Sequence, residues 1–230
     1  MKTLGLIGGM SWESTVPYYR MINEQVKQQL GGLHSAQLVL YSVDFARIEQ
    51  LQMQGDWQAA GQILGDAAVA LRRAGAEVVV LCTNTMHKVA DDIERIGGLP
   101  LLHIADATAQ AVQQQGIRRV ALLGTRFTME QDFYTGRLTQ QSGLEVIVPD
   151  EADRNTVHRI IYEELCLGII REASRDAYRR IMQRLESRGA GGIILGCTEI
   201  ALLVGAQDAQ VPVFDTTALH AAAAARFALA

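Results

Sequence analysis

The sequence predicts an α/β protein made of two similar Rossmann-like lobes, each with a mostly parallel sheet. Three observations predict it. Short apolar runs alternate with segments whose apolar residues recur at helical spacing. The stretch that opens Gly75-Ala76 and ends Leu81-Cys82-Thr83-Asn84-Thr85 returns as one that opens Gly189-Ala190 and ends Leu195-Gly196-Cys197-Thr198-Glu199, with Thr83 aligned on Cys197. Both halves also begin with an apolar run closed by glycine, at Gly8-Gly9 and at Gly124, and both later enter a strand led by proline, at Pro100 and Pro212. Three matches in the same order argue for duplicated halves related by a pseudo-twofold axis. The first lobe is expected over 1–98 plus 212–230, the second over 99–211.

The elements follow in order. Residues 2–7 are an apolar run, and Gly8-Gly9 makes a tight turn. Ser14 and Thr15 can cap a helix, Pro17 suits its first turn, and Tyr18, Met21, Ile22, Val26 and Leu30 keep helical spacing until Gly31-Gly32 stops it. Residues 37–43 read as a strand, and 44–52 as a loop or lid. Ile63, Ala67, Ala70 and Leu71 share a helix face. Residues 77–82 form a buried strand, Val89, Ile93 and Ile96 mark the helix after it, and 99–104 form another strand. In the second half, 118–123 is a strand. Thr128 and Gln131 have capping-box spacing before a helix. A strand at 144–148, two helices over about 153–187, strands at 193–196 and 211–214, and a helix in the Ala-rich tail complete the pattern.

Composition narrows the function. Hydrophobic residues make up 49% and aromatics only 6%, so the core is built from Ala, Val, Ile and Leu. A net charge of −4 with no block of either sign gives no footprint for nucleic acid. No apolar stretch reaches the about 18 residues of a membrane span, and the N-terminus lacks a cleavable-signal layout. A soluble cytoplasmic protein is expected, with no membrane partner. Three sparse cysteines, Cys82, Cys166 and Cys197, do not make a disulfide framework. No His or Cys set has metal-ligand spacing, so no metal is expected.

The chemistry concentrates where buried strands end. Thr83-Asn84-Thr85 and Cys197-Thr198-Glu199 sit at such ends, where open parallel sheets bind ligands. A helix start there would favour an anion and lower the thiol pKa of Cys197. Caps alone would also explain the Thr and Asn. Gly5, Gly8 and Gly9 fit neither a dinucleotide fingerprint nor a P-loop, and suit close approach of the backbone to a small ligand. Thr125 and Thr128 are candidates for a substrate carboxylate, with Thr128 equally an N-cap. Glu164 is a candidate for an amino group. Gln52 and Arg47 are candidates for a side-chain carboxylate, with Arg47 better read as solvent-facing. Strand alternation turns Cys82 away from Thr83 into the core, and Cys166 reads as core too. His87 is either an assistant to proton transfer or a structural histidine.

Taken together, Gly8-Gly9-Met10-Ser11-Trp12-Glu13-Ser14-Thr15, Asn84-Thr85-Met86-His87, Gly124-Thr125 and Gly196-Cys197-Thr198-Glu199 resemble the cofactor-independent aspartate/glutamate racemase family along nearly the whole chain. The resemblance implies two α/β lobes with the active site in the cleft between them, no cofactor, a small amino-acid substrate and a homodimer. It adds Met10, Ser11, Asn84, Thr85, Thr198 and Glu199 to the substrate-binding residues. It also implies one cysteine per lobe, facing the two sides of the α-carbon. This sequence departs from that pattern, with Thr83 where the first-lobe cysteine stands. A threonine hydroxyl is a far poorer base than a thiolate. Carried onto Cys197, the family pattern makes it the base towards the L-enantiomer, so bound substrate turns over more readily from L to D. A single-cysteine decarboxylase or isomerase of the same superfamily and a non-catalytic amino-acid-binding protein are the competing expectations.

Overall fold

The computed structural model describes every residue from Met1 to Ala230. The chain divides into two compact units, Met1–His103 with His220–Ala230, and Ile104–Leu219.

In the first unit the order is β1 (Leu4–Gly8), α1 (Trp12–Leu30), β2 (Leu38–Ser42), α2 (Phe45–Gln54), α3 (Trp57–Arg73), β3 (Val78–Leu81), α4 (Ala90–Gly97) and β4 (Leu101–Leu102). The four strands are parallel in the order β2-β1-β3-β4. Period-two alternation sorts their side chains onto two faces. Leu4, Leu6, Val78, Val80 and Cys82 pack with Tyr18, Ile22 and Val26 of α1 and with the alanines of the C-terminal helix. Ile7, Val79 and Leu81 pack with Leu64, Ala68 and Leu71 of α3. Near-continuous apolar strands are what a sheet covered on both faces requires.

The second unit repeats the plan. It runs α5 (Ile104–Gln114), β5 (Arg119–Gly124), α6 (Arg126–Glu130), α7 (Asp132–Gly136), β6 (Glu145–Ile147), α8 (Glu151–Glu163), α9 (Glu172–Ser187), β7 (Ile193–Gly196) and β8 (Val213–Asp215). The parallel order is β6-β5-β7-β8. One face packs against α8 and α9, the other against α5 and α7. The final helix, α10 (Thr216–Leu229), starts in this unit and carries the chain back into the first.

Several expectations change. The proline-led strands were expected in the opposite lobes, but β4 pairs with β3 and β8 with β7. A short crossover returns a strand beside the one it left. The division therefore falls after His103 and after Leu219, not at 98 and 211. Residues 44–52 are not a loop. Asp44 caps α2 by accepting from the Ala46 N–H at 3.2 Å, and Ile48 and Gln52, four apart, are its buried face. Helix α5 carries no sharp stop signal before it and was not anticipated. The α1 cap is Ser11, and Ser14 and Thr15 instead donate side-chain hydrogen bonds to its carbonyl. The α6 cap is Thr125, which leaves Thr128 inside the helix. No helix is long and apolar enough to cross a membrane.

Candidate active site

Buried polar side chains collect at the carboxyl ends of β1 and β3 in the first unit and of β5 and β7 in the second. A buried polar group left unpaired costs about 1–3 kcal/mol, so such clusters need a reason beyond packing.

In the first unit, Gly8 ends β1 hard against α1. A Cβ there would collide with the Thr15 side chain. Gly9, at φ 91°, lets the chain turn, and its N–H donates to Thr15 Oγ1 at 2.9 Å. This turn delivers Met10 and Ser11, both buried. At the end of β3, Thr83, Asn84 and Thr85 are buried as well. The Thr83 N–H turns back onto the Leu81 carbonyl at 2.9 Å, and a 3-10 turn over Thr85–Val89 follows. Gln52 reaches this turn from α2, donating from Nε2 to the Met86 sulfur at 2.9 Å. Arg47 is exposed on the same helix. His87 folds back so that Nδ1 lies 2.7 Å from the Thr83 carbonyl oxygen. Cys82 lies in the core, with its thiol 3.6 Å from the Val80 carbonyl, and burial pushes its pKa up.

In the second unit, β5 and β7 end side by side, Gly124 paired with Gly196. A Cβ on Gly124 would stand 2.8 Å from the Gly196 oxygen and 3.1 Å from Thr128 Cβ. That close approach sets Thr125 and Thr128, whose hydroxyls are 3.1 Å apart, beside the strand that leads to Cys197. The Cys197 thiol donates to Glu199 Oε2 at 3.0 Å, and the Thr198 hydroxyl donates to the same oxygen at 2.8 Å. All three residues are buried. Glu164, past the end of α8, accepts from the Ser174 hydroxyl at 2.6 Å, and Arg159 and Arg171 stand 3.5 and 4.0 Å from its other oxygen. Cys166 is half-buried in the 3-10 turn that follows.

The thiol pKa runs opposite to the expected direction. Burial, then the Glu199 charge, holds Cys197 well above the ordinary thiol value. The expected helix start is a single 3-10 turn, Ile200–Leu202, which has no dipole to match. The Cys197 thiol is therefore held towards its protonated form, with its S–H bonded to the Glu199 carboxyl group.

Sequence reasoning missed four residues. Tyr178 of α9 is fully buried and donates to the Val157 carbonyl at 3.3 Å. Burial raises its pKa far above 10, and the charges of Cys197, Cys166, Glu164 and Glu199 add to this. In the first unit, His103 and His220 pack their rings 4.4 and 5.9 Å from that of His87, and Tyr18 bonds His220. Tyr18 and Tyr178 lie on apolar helix stripes and read as core, and His220 sits in an alanine run with no local signal. No group of three or more His, Cys, Asp or Glu side chains is arranged to hold a metal ion.

The profile of the Asp/Glu/Hydantoin racemase family matches residues 7–224. A Yersinia pestis protein solved as a candidate Asp/Glu racemase is 71% identical, with both chains fully covered and a TM-score of 0.92. An aspartate racemase homologue from Pyrococcus horikoshii OT3 is 38% identical over the whole of both chains, with a TM-score of 0.85. The broad specificity amino-acid racemase RacX of Bacillus subtilis (strain 168) is 22% identical over 220 residues, 94% of this chain and 93% of the relative.

Proposed function

Since the chain belongs to the Asp/Glu/hydantoin racemase family, we propose that it racemises an amino acid, aspartate or glutamate, without a cofactor. Cys197 is the base towards the L-enantiomer, and Thr83 stands on the opposite face of the α-carbon. The observation that carries this reading is the 3.0 Å hydrogen bond from the Cys197 thiol to Glu199. A protonated thiol cannot take an α-proton, and here its own proton has an acceptor already in contact.

The S–H proton of Cys197 passes to the Glu199 carboxylate. The thiolate takes the α-proton of the L-enantiomer, and the C–H electron pair stays on the α-carbon, spread into the α-carboxylate. The Thr83 hydroxyl gives its proton to the opposite face, which completes the D-enantiomer. A threonine alkoxide is too basic to persist, so water restores its proton in the same step. The proton held by Glu199 leaves to solvent, and the one Cys197 took from substrate then exchanges with solvent through the freed Glu199 carboxylate.

Thr125 and Thr128, with Asn84, Thr85 and Thr198, are assigned to the substrate α-carboxylate. Gln52 is assigned to its side-chain carboxylate and Glu164 to its ammonium group, with Met10 and Ser11 completing the wall. The enzyme is assigned to the cytoplasm as a homodimer. The exposed Trp12, Val16 and Tyr19, spaced along α1, suit a partner copy, and sedimentation at twice the chain mass tests it.

The test is turnover of L-aspartate and L-glutamate, followed by chiral separation of the products, in wild type and in Cys197→Ser. The reading expects D-product from wild type and none from the variant. D-product at an unchanged rate in Cys197→Ser would defeat it. One observation favours a second reading. A single thiol, protonated at rest, also suits a decarboxylase, which needs only one proton donor once carbon dioxide has left a malonate. Release of carbon dioxide from aryl- or alkyl-malonates, with no amino acid turned over, would select it.

A further inference from the structure

The Thr83 carbonyl is placed unlike any other strand-end carbonyl at these sites. It belongs neither to the ladder, which β3 leaves after the Cys82 N–H bonds the Ile7 carbonyl, nor to the following turn, whose first bond runs from the His87 N–H to Asn84. Its partner is the imidazole of His87. At the matching place in the second unit, the Cys197 carbonyl is bound by the backbone N–H of Ile200. The repeat alignment puts Ala201 where His87 stands, so the first unit replaces a backbone bond with a side chain.

We propose that His87 is the positioning residue of the Thr83 site: its Nδ1–H donates to the Thr83 carbonyl and fixes the peptide plane from which the Thr83 hydroxyl and the Asn84 amide project. The proposal rests on the reading of Thr83 as the second proton-transfer group.

A carbonyl oxygen only accepts, so Nδ1 carries the proton. Neighbouring rings hold that arrangement. His220 donates from Nε2 to the Leu102 carbonyl at 2.8 Å, and its Nδ1 lies 2.9 Å from the Tyr18 hydroxyl. The His220 ring stands edge to face with that of His87, 5.9 Å between centroids. His103 covers His87 at 4.4 Å between centroids. Burial first, then the nearness of His103 and His220, keeps the His87 pKa well below 6.5, against the pull of the Thr83 and Leu102 carbonyls. His87 acts on Thr83 through geometry.

The experiment separates the two faces of the substrate. In D₂O, L-aspartate exchanges its α-proton when the Cys197 thiol swaps that proton for deuterium through Glu199 and protonates the same face again, whether or not inversion follows, whereas inversion to D-aspartate needs Thr83. In His87→Leu, which removes the donor, inversion is expected to fall on the order of tenfold to a hundredfold further than exchange. His87→Asn, whose amide puts a donor near the Nδ1 position, is expected to restore the ratio, and His87→Gln, whose donor lies near the Nε2 position, is not. A parallel fall of exchange and inversion, with Asn no better than Leu, would overturn the proposal. So would unchanged ratios in all three variants. Nitrogen-15 NMR of the wild-type protein gives a reading free of activity, with His87 expected as the neutral Nδ1–H tautomer across about pH 6 to 8. An Nε2–H tautomer in an active enzyme would remove this role alone. A wild type that turns over no amino acid would remove the racemase reading, and this role with it, whatever the tautomer.

Discussion

At the residue scale the proposed chemistry turns on one proton held between Cys197 and Glu199. Glu199 raises the thiol pKa by its charge and by accepting the S–H hydrogen bond, yet in the proposed mechanism it is also the acceptor that frees the thiolate. Those two effects pull apart in Glu199→Gln. The variant is expected to show Cys197 alkylation by iodoacetamide rising at lower pH than in wild type, because the charge is gone. Its racemisation is expected to fall by about 100-fold or more, the range of a lost general base. Slower racemisation with no change in the alkylation profile would mean that Glu199 serves substrate binding alone. On the other face, Thr83→Cys supplies a thiol where the family pattern has one, and α-proton exchange of the D-enantiomer is expected to rise by about tenfold or more. Cys82 does not stand in for it, since its side chain is committed to the core. The position of Cys197 was legible in the sequence, but its protonation was not. The shift depends on burial and on the reach of a side chain two residues away, neither of which spacing reveals.

Among the elements, the two first strands are fixed to their helices by glycines in close contact. Gly8 lies against Thr15 and Gly124 against Thr128 and the Gly196 carbonyl. In Gly124→Ala the added methyl must displace backbone as well as a side chain, and a loss of about 1–3 kcal/mol is expected in urea unfolding. A stability equal to wild type would show that the β5 and β7 ends part easily. Most strands were legible from apolar runs, because strands covered on both faces are apolar throughout. Helix α2 was not. Its buried face is only Ile48 and Gln52, and a polar residue at an inward position breaks the period that sequence reading relies on. The polar residue that hid the helix is itself a site candidate, a conflict that functional positions often produce. Helix α5 was missed for another reason. Its inward face is Ile104, Ala105, Thr108, Ala109 and Val112, with only Ile104 and Val112 large and apolar, and Ile104 was read as the end of the strand before it.

For the whole molecule, the sequence repeat was the decisive signal. It predicts two sheets of the same order, and β2-β1-β3-β4 against β6-β5-β7-β8 is that order. The histidine group lay beyond it, because His87, His103 and His220 come together only when the chain returns through α10. Of that group, His87, with the buried thiols and phenols, sets the pH range of the fold. The His87 pKa is depressed on folding, so its contribution is present above about 6.5 and is lost as pH falls. His158 shifts the same way, lowered by burial and then by Arg126. Cys82, Cys197, Tyr134 and Tyr178 are raised, so their contributions are complete below about pH 8.5 and are lost as pH rises through the alkaline range. Asp215 is raised by burial, which favours its protonated form and opposes the histidines only near its own range in acid. Urea midpoints are therefore expected to be highest between about pH 6.5 and 8.5 and to decline on both sides. A midpoint that climbs steadily from pH 7 to 5 would contradict the lowered pKa of His87.

The central claim is that the two faces of one α-carbon are served by unequal groups. The most direct measurement is the rate of α-proton exchange in D₂O, by proton NMR, for L-aspartate and D-aspartate on the wild-type enzyme, with Cys197→Ser alongside. The account predicts exchange of the L-enantiomer well ahead of the D-enantiomer, and loss of the L-signal in Cys197→Ser. Equal rates for the two enantiomers, or L-exchange that survives the loss of the thiol, would contradict it.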